Sequence, residues 1–459
     1  MNSDSLNKSD INNYGIVYTP DNLVDEILDL IPEKYFKMKD LTWLDIGAGK
    51  GAFSLNLYNR LIKNLSDQFE NTEQCKQHII KNMLFMIEIY PPHIDYLKEL
   101  FTNEANIINK CFLSLNQYEY DKFDFIIGNP PYNINGSIKT PTNNNLKKTD
   151  DGKSVYVEFI NKSLNLLHEG GFLNLIIPSL WLKTDKANLY NTLTNLQIHK
   201  IKCLCTSDST KAFKYQAQTP TCFFLIENHD TSDWDYKPIK IYDKIERDFI
   251  NYSLKPNNPI PINGINILKK LQNHIDSVGS LKFNKTNTPP KKMILSETSG
   301  ENCKFPNIKT CYLDGLVANI VFNYSNIKSQ YCFKKPKLIL PHKMYGIPYF
   351  DKEGIYGVST RDNYIISGFD YNIEELEEIQ YFLSTKFTLF IFLCCNYRMR
   401  FLERAAFSFI PVITKIPNFP KLKNIDRENR DKLLYNFFNL STKETEFIEN
   451  NFKNYKFFV

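Results

Sequence analysis

The chain has 459 residues, of which 42% are hydrophobic, and this length suits two or three domains better than one. Its formal net charge of +5 permits a nucleic-acid partner without requiring one. The ten cysteines form no C-x-x-C pair, which argues against a zinc site and against a disulfide framework. Residues 1–13 are polar and the apolar runs are short, so we expect a disordered N-terminus, no signal peptide, no membrane contact and a soluble, cytoplasmic protein.

The first predicted helix follows Tyr18-Thr19-Pro20. Its apolar residues recur at helical spacing, at Leu23, Val24, Ile27, Leu28 and Ile31. We predict Thr19 as the N-cap and Pro20 as the first helical residue. The free N–H groups and the hydroxyl at such a helix start suit a carboxylate, although a purely structural capped helix has the same pattern.

A buried strand, Leu41 to Ile46, leads into the glycine turn Gly47-Ala48-Gly49-Lys50-Gly51 and then into a helix. A strand, a glycine turn and a helix open a nucleotide-binding βα unit, because glycine lets the backbone approach a cofactor closely. The turn is not G-x-G-x-x-G. Asp45 at the strand end suits a cationic amino group better than a pyrophosphate, so the pattern does not indicate a dinucleotide site.

Three further strands are predicted in the next eighty residues: Met83 to Ile89, Ala105 to Ile108 and Phe123 to Ile127. Glu88 lies near the carboxyl end of the first, where a carboxylate can accept hydrogen bonds from both ribose hydroxyls of an adenosine. Alternating strands and helices predict an open α/β sheet that binds ligands at the carboxyl ends of its strands.

The segment Asn129-Pro130-Pro131-Tyr132 follows the last of these strands and carries the chemical signal. An amine conjugated to a ring or a carbonyl is a poor nucleophile, because its lone pair is delocalised. The Asn129 side-chain oxygen and the Pro130 carbonyl can each accept one hydrogen of such an amine and stabilise the positive charge that develops. Tyr132 offers a flat face for stacking. An ordinary turn after a strand is the alternative.

Strands at Phe172 to Ile177, Ile201 to Cys205 and Thr221 to Ile226 complete a seven-stranded sheet, and the alternating pattern ends near residue 227. The remainder is rich in basic and aromatic residues, and a helix is predicted near Ile373 to Leu393. Arginine forks suit phosphates and guanine edges, and aromatic rings suit stacking, which makes one arginine group a candidate nucleic-acid contact: Arg398, Arg400 and Arg404. A second basic group comprises Lys334, Lys335, Lys337 and Lys343, and either group could instead be a solvated face.

Residues 14–226 resemble the S-adenosylmethionine-dependent amino-methyltransferases, specifically the gamma-type DNA adenine-N6 methyltransferases. The matching motifs occur in the family's order: Tyr18-Thr19-Pro20, Asp45 to Phe53, Glu88 and Asn129-Pro130-Pro131-Tyr132. The resemblance implies a Rossmann-like seven-stranded methyltransferase sheet with helices on both faces over residues 14–230. It further implies an α+β target-recognition domain over residues 231–459.

The resemblance also implies roles for individual residues. The methyl donor S-adenosylmethionine would be bound by Tyr18, Thr19, Pro20, Asp45, Gly47, Gly49, Gly51, Glu88, Cys111, Phe112 and Asn129. Tyr132 and Phe213 would hold a flipped-out adenine, and the three arginines would contact double-stranded DNA. Cys111 departs from the family, which commonly has an acidic residue there. No metal is implied; the protein is expected to be a monomer, and the resemblance allows a cognate restriction endonuclease as a partner.

Several alternatives share the same motifs. DNA cytosine-N4 methylation uses nearly the same chemistry, and the tetrad by itself does not exclude it. RNA adenine and protein glutamine methyltransferases use related tetrads but typically lack a C-terminal half of this size. Cys111 also suggests a protein of a different class, a catalytically inactive DNA-binding relative.

Overall fold

The computed structural model describes residues 14–116, 120–134, 153–214, 219–231, 237–314, 317–332, 334–341, 348–398 and 402–453. The predictions for residues 1–13, Arg400 and Lys343 lie outside these ranges. The described residues divide into two compact units. The first extends to Tyr242 and includes Asn251–Asn257, and the second comprises Asp243–Ile250 and the chain from Asn258 onwards.

The strands as far as residue 254 are, in chain order, β1 (Trp43–Ile46), β2 (Leu84–Glu88), β3 (Asn106–Asn109), β4 (Phe123–Gly128), β5 (Asn133–Ile134), β6 (Lys153–Ser154), β7 (Leu167–Pro178), β8 (Leu196–Leu204), β9 (Thr221–Asp230), β10 (Lys237–Asp243) and β11 (Asp248–Leu254). Within the described residues, nine of them form one sheet in the order β11-β10-β8-β9-β7-β4-β1-β2-β3. Strands β5 and β6 pair separately as an antiparallel ribbon.

The large sheet confirms the predicted α/β class. All seven predicted strands are present as β1 to β4 and β7 to β9, and β10 and β11 extend the sheet beyond them. Its centre is parallel, since β1 pairs with β2 and β4, and β4 pairs with β7; β9 runs antiparallel to β7 and β8. Every residue of β1 is buried, as expected for a parallel strand that is covered on both faces.

The helices of the first unit are α1 (Asp21–Leu28), α2 (Ala52–Leu65), α3 (Thr72–His78), α4 (Pro91–Phe101), α5 (Tyr156–Leu166), α6 (Leu189–Thr194) and α7 (Thr206–Ala212). In α1 the apolar stripe predicted from the sequence is buried, but the N-cap prediction was wrong. The cap position is Pro20, and no side chain caps the helix. Thr19 instead uses its hydroxyl in a contact described below.

The second unit is a mixture of helices and short strands. Its helices are α8 (Ile265–Val278), α9 (Ile373–Leu383), α10 (Lys386–Leu393), α11 (Arg427–Phe437) and α12 (Thr442–Asn451). Its strands are β12 (Asn284–Lys285), β13 (Leu295–Ser296), β14 (Phe305–Asp314), β15 (Val317–Ser325), β16 (Lys337–Leu340), β17 (Tyr349–Asp351), β18 (Gly357–Val358) and β19 (Tyr364–Ser367). They form one sheet in the order β12-β19-β16-β17 and another in the order β13-β15-β14-β18.

Two local features of the second unit differ from the sequence-based expectations. The single helix expected near residues 373–393 is divided into α9 and α10, because the Thr385 side chain accepts a hydrogen bond from the Thr388 N–H and caps a new helix. Lys337 belongs to no basic surface. Its ammonium group is buried and pairs with the Asp351 carboxylate at 2.6 Å. None of the helices formed by the described residues is long and apolar enough to cross a bilayer.

Candidate active site

A cleft in the first unit lies at the carboxyl ends of β1, β2 and β4. Its walls bring together residues that are far apart in the sequence, and eight of them belong to the predicted cofactor site or to the predicted tetrad: Tyr18, Gly47, Gly49, Glu88, Cys111, Phe112, Asn129 and Pro131. Parallel strands end at the same edge of a sheet, which explains why these separate segments meet. Phe112 stacks on Phe159, another residue of the lining, with ring centroids 5.1 Å apart.

The glycine turn provides space in the cleft at two positions. Gly47 and Gly49 have φ angles of +70° and +56°, and a Cβ atom at either would meet no described atom closer than 4.0 Å. A side chain there would therefore project into the cleft and occupy the space that a ligand needs. Gly51 has a different role, because its Cβ would lie 2.9 Å from the Leu97 side chain of α4. The turn thus combines two ligand-facing glycines with one that allows helix packing.

Glu88 closes the turn from the opposite side of the cleft. One carboxylate oxygen accepts a hydrogen bond from the Gly49 N–H at 2.7 Å, and the other accepts from the N–H groups of Ile89 and Tyr90. Burial opposes ionisation, but the nearby His93 ring and the N–H groups of Tyr90 and Gly49 outweigh it and lower the pKa of Glu88. A buried carboxylate that stays ionised is well suited to accept ribose hydroxyls.

Asp45 does not face the cleft. Its side chain is buried, and one of its oxygens accepts hydrogen bonds from the Ser54 N–H at 3.1 Å and the Ser54 hydroxyl at 2.6 Å. Burial raises the pKa of Asp45 to about 7, although the hydrogen bonds from Ser54 lower it. One Asp45 oxygen thus ties β1 to the first turn of α2, and the other, Oδ1, is buried without a hydrogen-bond partner among the described residues.

The Asn129 amide has a defined orientation. Its Nδ2 group donates a hydrogen bond to Thr19 Oγ1 at 3.1 Å, and this contact joins residues 110 positions apart. The other end of the amide, Oδ1, is buried and accepts no hydrogen bond from any described residue. A buried acceptor without a partner costs free energy unless a ligand satisfies it. The arrangement therefore leaves the oxygen available for a substrate donor.

Tyr132 and Phe213 were predicted to stack on the two faces of a base. The Tyr132 hydroxyl is buried without a hydrogen-bond partner among the described residues, and burial raises its pKa. The Phe213 side chain follows α7 and is only 1% exposed. Because Phe213 is buried, its side chain would have to move before a base could be held between Tyr132 and Phe213.

The predicted DNA-contacting arginines belong to the second unit. The Arg398 side chain is 52% exposed and its Nε lies 3.4 Å from a Glu403 oxygen. Arg404 is exposed, and its guanidinium carbon lies 5.9 Å from the centre of the Phe283 ring. Both cations are accessible to solvent.

Sequence reasoning missed two residues near the strand ends. His93 lines the cleft in the first turn of α4, directly after β2, and Ser179 follows β7 with its hydroxyl buried and unpaired within the described residues. Both lie just beyond the carboxyl end of a strand of the central sheet, where ligands bind in open α/β folds. The signal for both in the sequence is a polar residue shortly after a predicted strand.

Comparison with known proteins relates part of the chain to a described family. Residues 33–213 match the Eco57I restriction-modification methylase family. These residues form an Eco57I restriction-modification methylase domain. The match begins after Tyr18 and Thr19 and ends at Phe213, so the methylase domain contains β1 to β4 and the Asn129-Pro130-Pro131-Tyr132 tetrad.

Two curated relatives each resemble about half of the chain. The Type II methyltransferase M.BstVI of Geobacillus stearothermophilus is 27% identical over 48% of this chain and 43% of its own length. The Type II restriction enzyme and methyltransferase RM.Eco57I of Escherichia coli is 31% identical over 49% of this chain and 29% of its own length. The chain therefore matches less than half of either relative.

A solved structure extends the similarity beyond the methylase domain. The Type IIL restriction-modification enzyme MmeI, solved in complex with DNA, matches 98% of this chain and 77% of its own chain with a TM-score of 0.53. At 13% sequence identity this likeness concerns the fold alone. The α/β fold is thus that of restriction-modification methyltransferases.

Proposed function

We propose that this protein is a DNA methyltransferase that transfers a methyl group from S-adenosylmethionine to the exocyclic N6 of a flipped-out adenine. The observation that carries the proposal is the Asn129 amide, whose nitrogen is held by Thr19 and whose buried oxygen has no partner in the described chain. An acceptor fixed in this way has the chemistry needed to bind an amino group. The match of residues 33–213 to the methylase family supports the same reaction.

The cleft residues fit S-adenosylmethionine. Glu88 would accept the ribose hydroxyls, the open positions at Gly47 and Gly49 would let the cofactor approach the backbone, and Phe112 would provide an apolar wall. When bound, S-adenosylmethionine supplies an electrophilic methyl group. Tyr18 and the start of α1 would enclose its methionine end, and Cys111 would lie at the adenine end in place of the acid common in the family.

The tetrad would activate the amine by hydrogen bonding. Asn129 Oδ1 and the Pro130 carbonyl accept one hydrogen each, which localises the nitrogen lone pair and stabilises the positive charge that develops during attack. Pro130 and Pro131 have no N–H donors and restrict the backbone, so the carbonyl direction is held. Tyr132 would stack on the base, and Phe213 would contact its other face after rearrangement. Catalysis then rests on positioning and charge stabilisation.

The substrate in this proposal is double-stranded DNA. Extruding a base from the duplex costs about a few kcal/mol, which protein contacts must offset. We assign methyl transfer to residues 14–230 and target recognition to residues 231–459, where Arg398 and Arg404 are exposed cations. MmeI, whose fold matches 98% of this chain, was solved in complex with DNA, and this supports DNA as the substrate. A cognate restriction endonuclease and a monomeric state belong to the same proposal.

The test is incubation with methyl-labelled S-adenosylmethionine and mixed-sequence duplex DNA, followed by nucleoside analysis. We expect labelled N6-methyladenine. Asn129→Ala should lower turnover about a hundredfold, the typical effect of removing one preorganised hydrogen-bonding group, with nearly unchanged cofactor binding. Asn59→Ala, a change of the same type on the exposed surface of α2, is the matched control.

Each outcome of this assay discriminates between functions. Labelled N4-methylcytosine would show that the acceptor base is cytosine and not adenine. DNA binding without label transfer would indicate an inactive relative, and label on RNA or protein alone would exclude the DNA assignment. Full activity of Asn129→Ala would refute the role of the tetrad.

A further inference from the structure

His93 occupies the space between two parts of the cleft that are distant in sequence. Its side chain is 2% exposed and its ring packs edge-on against Tyr18 and Tyr90, with centroid distances of 5.8 and 4.9 Å. Its Nε2 lies 2.9 Å from the Tyr18 hydroxyl, and its Nδ1 lies 3.6 Å from a Glu88 oxygen. One imidazole ring thus faces both the N-terminal segment and the acid at the end of β2.

The chemistry of the neighbours determines which ring nitrogen carries the proton. Burial, with Tyr90 and Glu88 adding to it, raises the pKa of Tyr18 to about 12, so its hydroxyl keeps its hydrogen. That hydroxyl can donate to Nε2 of a neutral ring, which then carries its own hydrogen on Nδ1. Nδ1 makes no hydrogen bond within the described residues, and it lies 3.6 Å from a Glu88 oxygen, where the partial positive charge of an N–H group is favourable. Both ends of the ring are therefore complementary to their neighbours.

The Tyr18 contact extends to the reacting amide. Tyr18 is followed by Thr19, whose hydroxyl accepts the hydrogen bond from Asn129 Nδ2. A displacement of Tyr18 would carry Thr19 with it, because the two residues are joined by one peptide bond. Three side-chain contacts and the Tyr18–Thr19 peptide bond thus connect the proposed ribose site to the proposed amine site, in the order Glu88, His93, Tyr18, Thr19 and Asn129.

We propose that His93 is a positioning residue that holds the Tyr18–Thr19 segment over the cofactor cleft and thereby supports both cofactor binding and the orientation of Asn129. This inference rests on the proposed function, because it assigns cofactor binding to the same cleft. His93 is assigned no contact with the reacting amine or with the methyl group. It acts through Tyr18 on one side and through Glu88 on the other.

The experiment measures the affinity for S-adenosylmethionine by calorimetry and, separately, the turnover with duplex DNA. His93→Leu removes both polar contacts at similar volume, and we expect its Kd to rise about tenfold or more, with a lower kcat. His93→Gln retains an acceptor for the Tyr18 hydroxyl and should restore part of the affinity. If His93 only filled space, the leucine and glutamine variants would not differ in this way.

A double-mutant cycle with Tyr18→Phe tests the contact itself. Tyr18→Phe should weaken binding in the parent and have almost no further effect in the His93→Leu background, because the partner is already absent. If His93→Leu does not fold, the cycle is made with His93→Gln instead. Glutamine retains an acceptor for the Tyr18 hydroxyl, so Tyr18→Phe should still weaken binding in that background. Equal effects of Tyr18→Phe in the parent and in His93→Leu, or parent-like affinity of folded His93→Leu, would overturn the proposal.

The outcome for His93 is distinguishable from the outcome for the proposed function. If the parent binds S-adenosylmethionine and shows the coupling but methylates no DNA, the His93 proposal stands and the DNA assignment falls. If the parent binds no S-adenosylmethionine, both fail. If DNA is methylated but the coupling is absent, only the role of His93 is refuted.

Discussion

At the scale of single residues, the decisive feature is the pairing of a hydroxyl with an amide. An asparagine side chain has a donor end and an acceptor end of similar shape, and only the acceptor end can bind an amino group. Thr19 Oγ1 accepts from Asn129 Nδ2 and so directs Oδ1 away from itself. Without this hydroxyl the Asn129 amide could rotate by half a turn, and its Nδ2 donor would then face the amino group, which is also a donor.

The first residue-scale prediction concerns Thr19. Thr19→Val removes the acceptor but keeps the shape, so the amide of Asn129 is no longer held in one orientation. A hydrogen bond of about 1 kcal/mol corresponds to roughly a five- to tenfold loss in turnover, and we expect kcat to fall by that factor. Single-turnover methylation measures it. Thr19→Ser retains the hydroxyl and should remain close to the parent, and an equal loss in both variants would contradict the proposed role.

At the scale of elements, buried contacts fix the positions of β1, the glycine turn and α2. Asp45 connects the strand to the helix through Ser54, and Gly51 allows α2 to lie against α4. The turn between them is thereby stabilised with Gly47 and Gly49 open to the cleft. The element's stability and its ligand-binding geometry therefore depend on different residues.

The Asp45 carboxyl should make this element sensitive to pH. Its folded-state pKa of about 7 exceeds the ordinary value of 3.8, so the folded chain binds a proton more tightly than the unfolded chain does. The stability that this contributes is largest at low pH, falls as the pH rises from about 4 to about 7, and is constant above that range. Asp45→Asn keeps an oxygen acceptor for Ser54 and does not ionise.

The free energy of unfolding of Asp45→Asn, measured by urea titration, should therefore increase relative to the parent between about pH 5 and about pH 8. Asp67→Asn, which changes an exposed carboxylate, is the control. A difference between Asp45→Asn and the parent that does not change with pH would show that Asp45 is ionised throughout, contrary to this expectation.

At the scale of the whole molecule, cofactor binding is assigned to the first unit and DNA recognition to the second. Asn129 and the cleft belong to the first unit, whereas Arg398 and Arg404 belong to the second. Contacts to phosphates release counterions, and each one steepens the salt dependence of DNA affinity by about 0.9 in the logarithmic slope. Cofactor binding in the cleft should not depend on these arginines.

Replacing both Arg398 and Arg404 by glutamine should reduce the slope of log K against log salt concentration by about 2 and leave the Kd for S-adenosylmethionine unchanged. Binding to labelled duplex DNA at several salt concentrations provides the measurement. Lys39→Gln removes an exposed positive charge from the first unit and should not change the slope. An unchanged slope in the double variant would remove the arginines from the DNA interface.

Much of the first unit could be predicted from local sequence. The seven strands of the sheet were predicted because buried parallel strands are short apolar runs bounded by turns, and Phe123 to Ile127 illustrates this pattern. The second unit was less predictable. Its strands are short, and the break between α9 and α10 depends on the capping hydroxyl of Thr385 within a segment that is otherwise continuously helical in composition.

The sequence by itself determined the class of the sheet, the position of the glycine turn and the Asn129-Pro130-Pro131-Tyr132 tetrad, because each depends on neighbouring residues along the chain. Only the tertiary structure decided that Thr19 orients Asn129, that His93 lies between Tyr18 and Glu88, and that Asp45 and Lys337 are directed inward. The physical reason is that the direction and partner of a side chain at a strand end are set by segments far away in the sequence, and local propensity carries no information about them.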